Sequence, residues 1–233
     1  MTYDVLIAGG GPAGLSAALL LGRSRRATLV CDGGEPRNGA APASHSFLTQ
    51  DGTPPLELRR RGREQLAPYP SVAIADTNVL DVAAVDGRFE ATLGDGRHVV
   101  ARKVIVATGV RDELPAIAGL AELWGTDVFH CPYCHGWEVR DQHIAVIASG
   151  PMSVHQALLF RQLTDRVTYL SHAQPLTPEQ EEQLLARGVR IVDTQVTAVE
   201  VTNDFLTGVR MADGTTVPCQ AVAVATYMRA RAG

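Results

Sequence analysis

Short apolar runs separated by glycine-rich turns open the chain. The apolar run 4–8 predicts a buried strand, the turn 9–14 follows it, and residues 15–21 continue as an apolar helix. Residues 28–31 predict the next strand, which ends at Asp32. Because strands alternate with helices across short turns, the pattern predicts an α/β fold in three layers, with a parallel sheet covered on both faces.

β-type signals replace this alternation in the middle of the chain. After a loop rich in Gly, Pro and Ala, Pro54 and Pro55 open a basic helix that runs to about Leu66. From residue 72 to residue 109 the period shortens, and Asp95-Gly96 is typical of a hairpin turn. The pattern therefore predicts β-hairpin or meander insertions in the α/β fold.

A second strand–turn–helix unit begins at His143. We expect a strand over 143–147, a turn over 148–153 and a helix over 154–163. Thr177, followed by Pro and by Gln180, predicts the capped start of a further helix. Residues 110–119 show little periodicity, so we place a domain boundary there.

An internal repeat supports two similar units. Asp95-Gly96 is followed, eleven residues after the Asp, by Val-Ala-Thr ending at Thr108. Asp213-Gly214 is followed at the same offset by Val-Ala-Thr ending at Thr226. Two dinucleotide-fold units are the simplest account, and coincidence is the alternative for so short a match.

Composition and charge narrow the class of protein. The 233 residues are 45% hydrophobic and 20% charged, and the net charge of −4 gives no indication of nucleic-acid binding. The basic run 59–63 is interpreted as a solvated helix face, with a local anion contact as the alternative. We find no signal-peptide pattern and no apolar stretch of membrane-spanning length, and we expect a cytoplasmic protein.

The first chemical motif is a glycine turn between the first strand and the first helix. Gly9 permits the tight turn, Gly11 lets a diphosphate approach the backbone, and Gly14 lets helix and strand pack closely. The carboxylate of Asp32 is expected to bind a ribose hydroxyl. A glycine turn without a ligand is the alternative. The expected cofactor contacts in the turn are Gly9, Gly11, Pro12, Ala13 and Gly14.

The second motif is a pair of cysteines, Cys131 and Cys134, flanked by His130 and His135. Such a pair forms a small-ring disulfide if the second cysteine opens a helix, and a helix N-terminus lowers a thiol pKa to about 3.5–7.5. Either histidine is a candidate to move protons or to hold the thiolate. Zinc and an inert pair are the alternatives; structural zinc sites usually combine two ligand clusters, so we expect no metal here.

Together these motifs resemble the thioredoxin reductase family, a group of pyridine nucleotide-disulfide oxidoreductases. The resemblance rests on the turn 9–14, on Val-Ile-Val-Ala-Thr-Gly at 104–109, and on the cysteine pair ahead of a second nucleotide fold. It implies two Rossmann-like units: a FAD-binding domain at 1–113 and a NAD(P)-binding-like domain at 114–228. Residues 229–233 would then begin a return to the FAD domain.

The resemblance also implies roles for individual residues. Cys134 would face the flavin and Cys131 would attack the substrate disulfide, which belongs to a small molecule or to a thioredoxin-like protein. The pattern from His130 to Gly136 is closer to FAD-dependent dithiol oxidases acting on small molecules. A homodimer is expected. Further cofactor contacts implied by the resemblance are Arg37, Asn38, His45, Thr108, Gly109 and, in the second turn, Gly150.

Two departures from the family pattern limit these expectations. In the second turn only Gly150 survives, Ala148 replaces the first glycine, and residues 168–172 lack the arginines that hold a 2′-phosphate. This argues against NADPH binding. The chain also stops at Gly233, before the segment that completes the FAD domain in the family. The open alternatives are a thiol–disulfide oxidoreductase, an oxygen-using dithiol oxidase without NADPH, and an impaired nucleotide-binding fragment.

Overall fold

The structure is a computed structural model that describes residues 2–232 and divides into two compact units. Met1 and Gly233, the outer ends of the predicted segments 1–113 and 229–233, lie outside the described residues. Residues 40–52, which the sequence places in the first domain, cluster with unit 2. Unit 1 comprises Met1–Gly39, Thr53–Arg111 and Arg229–Gly233, and unit 2 comprises Ala40–Gly52 and Asp112–Met228.

Unit 1 is built on a six-stranded sheet with the strand order β3-β2-β1-β6-β5-β4. Strands β3, β2, β1 and β6 are parallel, and β5 and β4 extend the sheet in antiparallel fashion. The elements are β1 (Thr2–Ala8), α1 (Pro12–Arg23), β2 (Thr28–Cys31), α2 (Pro55–Glu64), β3 (Val72–Ala75), β4 (Val79–Val85), β5 (Arg88–Leu93) and β6 (His98–Val106).

Successive residues of β1 belong to different hydrophobic clusters, as expected for a strand that is buried on both faces. Leu6 packs in a cluster with residues of β2, β3, β5 and β6, whereas Ile7 packs with Leu15 and Ala18 of α1. In register, Ala8 pairs with Cys31 on one side and with Val106 on the other. The carboxyl ends of the three central strands therefore meet at one edge of the sheet.

Unit 2 contains a five-stranded parallel sheet with the order β11-β10-β9-β15-β8 and a three-stranded antiparallel sheet, β12-β13-β14. Its strands are fully buried where they are central, as in β9 and β15. The elements are β8 (Val128–Phe129), α3 (Pro132–His135), β9 (Ile144–Ile147), α4 (Ser153–Phe160), β10 (Val167–Leu170), α5 (Pro178–Ala186), β11 (Arg190–Val192), β12 (Val196–Thr202), β13 (Phe205–Met211), β14 (Thr216–Pro218) and β15 (Ala221–Val224).

The predicted α/β fold is confirmed, with differences at element ends. Segments β7 (Val110–Glu113) and β16 (Tyr227–Ala230) form a two-stranded sheet, although we expected residues 110–119 to be irregular. Helix α1 begins at Pro12 rather than at Leu15, because proline is pre-organised for the first helical position. Helix α4 ends at Phe160, since Leu163 N–H bonds to Phe160 C=O in a tighter turn.

Two local predictions are confirmed in detail. Thr177 Oγ1 accepts a hydrogen bond from Gln180 N–H at 3.3 Å, and Gln180 Oε1 accepts one from Thr177 N–H at 3.0 Å, which is the predicted capping box. The repeated Asp-Gly turns join β5 to β6 and β13 to β14, with Gly96 and Gly214 at φ +86° and +84°. Among residues 2–232, no helix is long and apolar enough to cross a membrane.

Candidate active site

The glycine turn between β1 and α1 is packed so closely that two of its positions exclude a side chain. Gly9 has φ +115°, and a Cβ there would lie 2.2 Å from the carbonyl oxygen of Ala107. A Cβ on Gly14 would lie 1.9 Å from the carbonyl oxygen of Gly9. By contrast, a Cβ on Gly11 would meet no atom within 4 Å. The turn therefore presents an open backbone at Gly11 on a tightly packed base.

A cavity of about 490 Å³ opens in unit 1 at the carboxyl ends of the central strands. Gly14 and His45 are not among the residues that line it, and neither is Gly150, which lies in unit 2. Gly14 instead lies where the start of α1 packs closely against Gly9 and Ile7. The predicted cofactor contacts that do line the cavity are Gly9, Gly11, Pro12, Ala13, Asp32, Arg37, Asn38, Thr108 and Gly109.

Asp32 lies in the cavity wall with its carboxylate almost entirely buried. Its Oδ2 atom accepts hydrogen bonds from Arg59 Nε at 2.9 Å and from Arg59 Nη2 at 2.7 Å. Its Oδ1 atom accepts one from Gly34 N–H at 3.0 Å. The sequence reasoning missed Arg59, which also lines the cavity. Its spacing of four residues from Arg63, which places both on one helix face, was the available signal.

Arg231 is a second cationic residue in the cavity wall that the sequence did not single out. Its backbone N–H donates to the carbonyl oxygen of Gly109 at 3.1 Å, and its Nη1 donates to the carbonyl oxygen of Glu35 at 2.8 Å. Arginine, glycine N–H groups and the N-terminus of α1 all favour an anionic ligand. The cavity is therefore suited to a negatively charged group such as a diphosphate.

The cysteine pair lies in unit 2 at the short helix α3. The helix begins directly after Cys131, so the first cysteine occupies the N-cap and Cys134 lies inside the turn. Cys134 Sγ donates to Cys131 Sγ, and the two sulfurs are 2.6 Å apart. This hydrogen bond, helped by the backbone N–H groups of residues 133 and 134 and by the charge of His130, lowers the Cys131 pKa from 9.0 to about 6, against desolvation. The lowered pKa favours the thiolate form of Cys131.

Two histidines flank the pair in different surroundings. The ring of His135 stacks on Phe129 with centroids 5.2 Å apart, and neither ring nitrogen has a hydrogen-bond partner of normal geometry among the described residues. Burial lowers the pKa of His135, and the carboxylate of Glu138 opposes this. The carbonyl oxygen of His130 accepts a bond from Gln156 Nε2 at 2.6 Å. The surroundings of His135 therefore favour the neutral form of its imidazole.

Loop 40–52 packs against α3, the short helix of the cysteine pair, within unit 2. The imidazole of His45 lies 3.5 Å from Asp51 Oδ1 and 3.4 Å from Glu138 Oε1. Ser46 Oγ donates to the carbonyl oxygen of Tyr133 at 3.2 Å. These contacts place His45 beside Glu138, and its expected contact with a flavin stays a prediction.

Comparison with known proteins identifies the family. Residues 3–232 match the pyridine nucleotide-disulphide oxidoreductase family. The chain belongs to this family. It is similar to a probable thioredoxin reductase of Arthroderma benhamiae, with 42% identity over 156 residues that cover 64% of this chain and 38% of the relative. It is also similar to the thioredoxin reductase aclD of Aspergillus oryzae, with 34% identity over 229 residues that cover 92% of this chain and 71% of the relative.

A solved structure matches this chain along its whole length. The crystal structure of HlmI has a TM-score of 0.93 and 38% identity, with coverage of 100% of this chain and 74% of HlmI. The match covers 71% of the Aspergillus oryzae protein but only about two fifths of the Arthroderma protein. The resemblance to thioredoxin reductases predicted from the motifs is thus confirmed.

Members of the pyridine nucleotide-disulphide oxidoreductase family are FAD-binding flavoproteins, and the cavity of unit 1 fits such a group. The open backbone at Gly11 leaves room for a diphosphate that a Cβ would restrict. Asp32 offers a carboxylate oxygen to ribose hydroxyls, and Arg231 adds positive charge to the wall. These residues would hold the dinucleotide, and the flavin would supply two-electron chemistry.

The second turn, in unit 2, differs from a diphosphate site of this family. The backbone N–H groups of Ser149 and Gly150 donate to Ser153 Oγ at 3.0 and 3.3 Å, and Ser153 is fully buried. Ser149 Oγ donates to the carbonyl oxygen of Ala225 at 2.6 Å. The donors that would bind a phosphate are therefore satisfied inside the protein. The expected cofactor role of Gly150 stays a prediction.

The remaining cysteines are inert core residues. Cys31 and Cys219 are 1% and 0% exposed, and burial raises their pKa values to about 11 and about 12. In the part of the chain that the structure describes, no group of three or more His, Cys, Asp or Glu residues is arranged to hold a metal ion. Of the four cysteines, Cys131 and Cys134 are therefore the candidates for thiol chemistry.

Proposed function

We propose that this chain is a flavin-dependent thiol–disulfide oxidoreductase that cycles Cys131 and Cys134 between dithiol and disulfide. The observation that carries the proposal is the adjacency of the two sulfurs at the start of α3, 2.6 Å apart, which lowers the pKa of Cys131. A thiolate beside a second thiol is the minimum required for rapid exchange with a disulfide. The cavity at the opening glycine turn would hold FAD.

The exchange itself needs only groups of unit 2. The Cys131 thiolate attacks one sulfur of the substrate disulfide, forming a mixed disulfide and releasing the other sulfur as a thiolate, which takes up a proton. Cys134 then loses its proton, for which neutral His135 is our candidate acceptor, and attacks the Cys131 sulfur. The second substrate thiolate leaves and is protonated. The substrate gains two electrons and two protons, and the cysteine pair becomes a disulfide.

Bound FAD would exchange the electron pair with the cysteines. The substrate is a small dithiol or disulfide or a thioredoxin-like protein, and the chemistry at Cys131 is the same for each. A cytoplasmic location and a homodimer remain predictions from the sequence.

The test is an anaerobic titration of the FAD-loaded chain with a dithiol, followed by flavin absorbance. We expect the flavin to bleach, and we expect Cys131→Ser and Cys134→Ser to abolish turnover while FAD stays bound. Cys219→Ala is the matched control, because it removes a thiol that is buried and protonated. Turnover retained in Cys134→Ser contradicts the proposal, and a colourless chain that gains no stability from FAD supports the impaired nucleotide-binding alternative.

A second candidate is a dithiol oxidase that passes electrons from a small dithiol through FAD to oxygen without NADPH. The observation that favours it is Ser153, whose hydroxyl already accepts from the N–H groups of the second turn. A dithiol that loses two electrons and two protons would then reduce oxygen to hydrogen peroxide. Flavin bleaching by NADPH excludes this candidate; peroxide formation with dithiol, and no bleaching by NADPH, supports it.

A further inference from the structure

The ion pair between Asp32 and Arg59 is unusual for its burial inside a ligand cavity. The exposed fractions of the two side chains are 6% and 15%. Arg59 donates twice to Asp32 Oδ2, and its Nη1 donates to the carbonyl oxygen of Gly34 at 3.3 Å. Arg63 Nη1 reaches the same Oδ2 at 3.3 Å. The guanidinium of Arg59 thus binds both Asp32 and Gly34 in the turn that follows β2.

The carboxylate of Asp32 has little freedom to move. A Cβ on Gly10 would lie 2.2 Å from Asp32 Cγ, so the carboxylate packs directly on the glycine turn. Arg59 also holds it, through two hydrogen bonds to Oδ2. A nearly buried carboxylate needs a compensating charge, and the guanidinium of Arg59 supplies it.

The two carboxylate oxygens of Asp32 therefore have different hydrogen-bond partners. Among residues 2–232, Oδ2 accepts three bonds from the guanidinium groups of Arg59 and Arg63, whereas Oδ1 accepts one, from the Gly34 N–H. A carboxylate oxygen has room for at least two hydrogen bonds, so Oδ1, which accepts one, retains capacity for a further donor. A ribose hydroxyl is such a donor.

We propose that Arg59 is a positioning residue for dinucleotide binding, which fixes Asp32 so that Oδ1 accepts a ribose hydroxyl from the adenosine half of FAD. This inference rests on the proposed function, because it takes FAD as the ligand of the cavity. It assigns a role to one member of the basic run 59–63. Arg60 in the same run differs, because it pairs with Glu57 and Glu64 on the exposed face of α2.

The experiment measures FAD dissociation constants of the full chain by flavin fluorescence, for the wild type and for variants. We expect Arg59→Met to weaken FAD binding about 10- to 100-fold, because the loss of charge-assisted bonds frees the carboxylate. Arg59→Lys keeps the charge without the fork and is expected to recover part of the affinity. Arg60→Met, on the same helix, is the matched control and is expected to bind FAD like the wild type.

A double-mutant cycle separates positioning from a direct or general effect. If Arg59 acts through Asp32, the double variant Asp32→Asn/Arg59→Met binds FAD within about twofold of Asp32→Asn alone. Additive losses, or full affinity in Arg59→Met, overturn the inference while leaving the proposed function intact. Failure of the wild type to bind FAD overturns both. If Arg59→Met does not fold, the same cycle is run with Arg59→Lys, and thermal unfolding of each variant reports its fold.

Discussion

Replacing Cys134 with alanine removes the largest contribution to the low pKa of Cys131. That contribution is the hydrogen bond from Cys134 Sγ, and desolvation then acts against weaker backbone bonds and the charge of His130. We therefore expect the Cys131 pKa to rise from about 6 toward 9.0, by at least about one unit. Cys134→Ser keeps an O–H donor and is expected to give an intermediate value.

The size of the effect on reactivity depends on pH. With a pKa of about 6, about 90% of Cys131 is thiolate at pH 7, whereas a pKa of 9.0 leaves about 1%. The less basic thiolate is intrinsically slower, by about 20-fold for three pKa units at a Brønsted slope of about 0.45. The net advantage is about 4-fold at pH 7 and about 20-fold at pH 6. The contrast is therefore best measured in mild acid.

The assay is alkylation of the reduced protein by iodoacetamide across pH 4–10, with the Cys131 peptide quantified by mass spectrometry. Cys31 and Cys219 serve as internal controls, since both thiols are buried and their pKa values are raised. A wild-type midpoint near the ordinary value of about 8.5 would refute the reasoning. So would a midpoint unchanged by Cys134→Ala.

Other consequences follow from the same contacts. Glu138→Gln should lower the pKa of His135 further, because the carboxylate favours the protonated ring; NMR titration of the ring protons measures it, and a rise contradicts it. Ser153→Ala should destabilise unit 2 by about 1–3 kcal/mol in urea unfolding, since two buried N–H groups lose their acceptor; an unchanged midpoint counts against this. Gly11→Ala should melt like the wild type but bind FAD weakly, whereas Gly14→Ala should also lose thermal stability; equal melting of the two variants would contradict the packing argument.

The parts of this protein that could be predicted from the sequence are those specified by neighbours along the chain. The turn 9–14 and the capping box at Thr177 are defined by spacing within a few residues, and both were predicted with their physical reasons. Arg59 and Asp32 are 27 residues apart, and their contact depends on where the packing of α2 against α1 places Arg59. Arg231 reaches Glu35 across 196 residues, a distance at which local patterns carry no information.

The thiol pair shows an intermediate case. Its redox character was predicted from residue types and spacing, but the position of Cys131 at the N-cap is set by where α3 begins. The placement of His45 beside Glu138, rather than in the cavity lining, depends on loop 40–52, which has no periodicity to fix its path. Loops without a repeating pattern are the segments for which sequence reasoning is weakest.

The hydroxyl of Ser153 has a consequence for protein engineering. A designer who wished to convert this chain into a pyridine-nucleotide reductase would restore glycine at residue 148 and add arginines after β10. Those changes alone would supply a turn whose amide donors are already engaged by the side chain of Ser153, the first residue of α4. The serine would have to be replaced first by a residue without an acceptor, so the order of substitutions determines whether any intermediate variant gains the new cofactor.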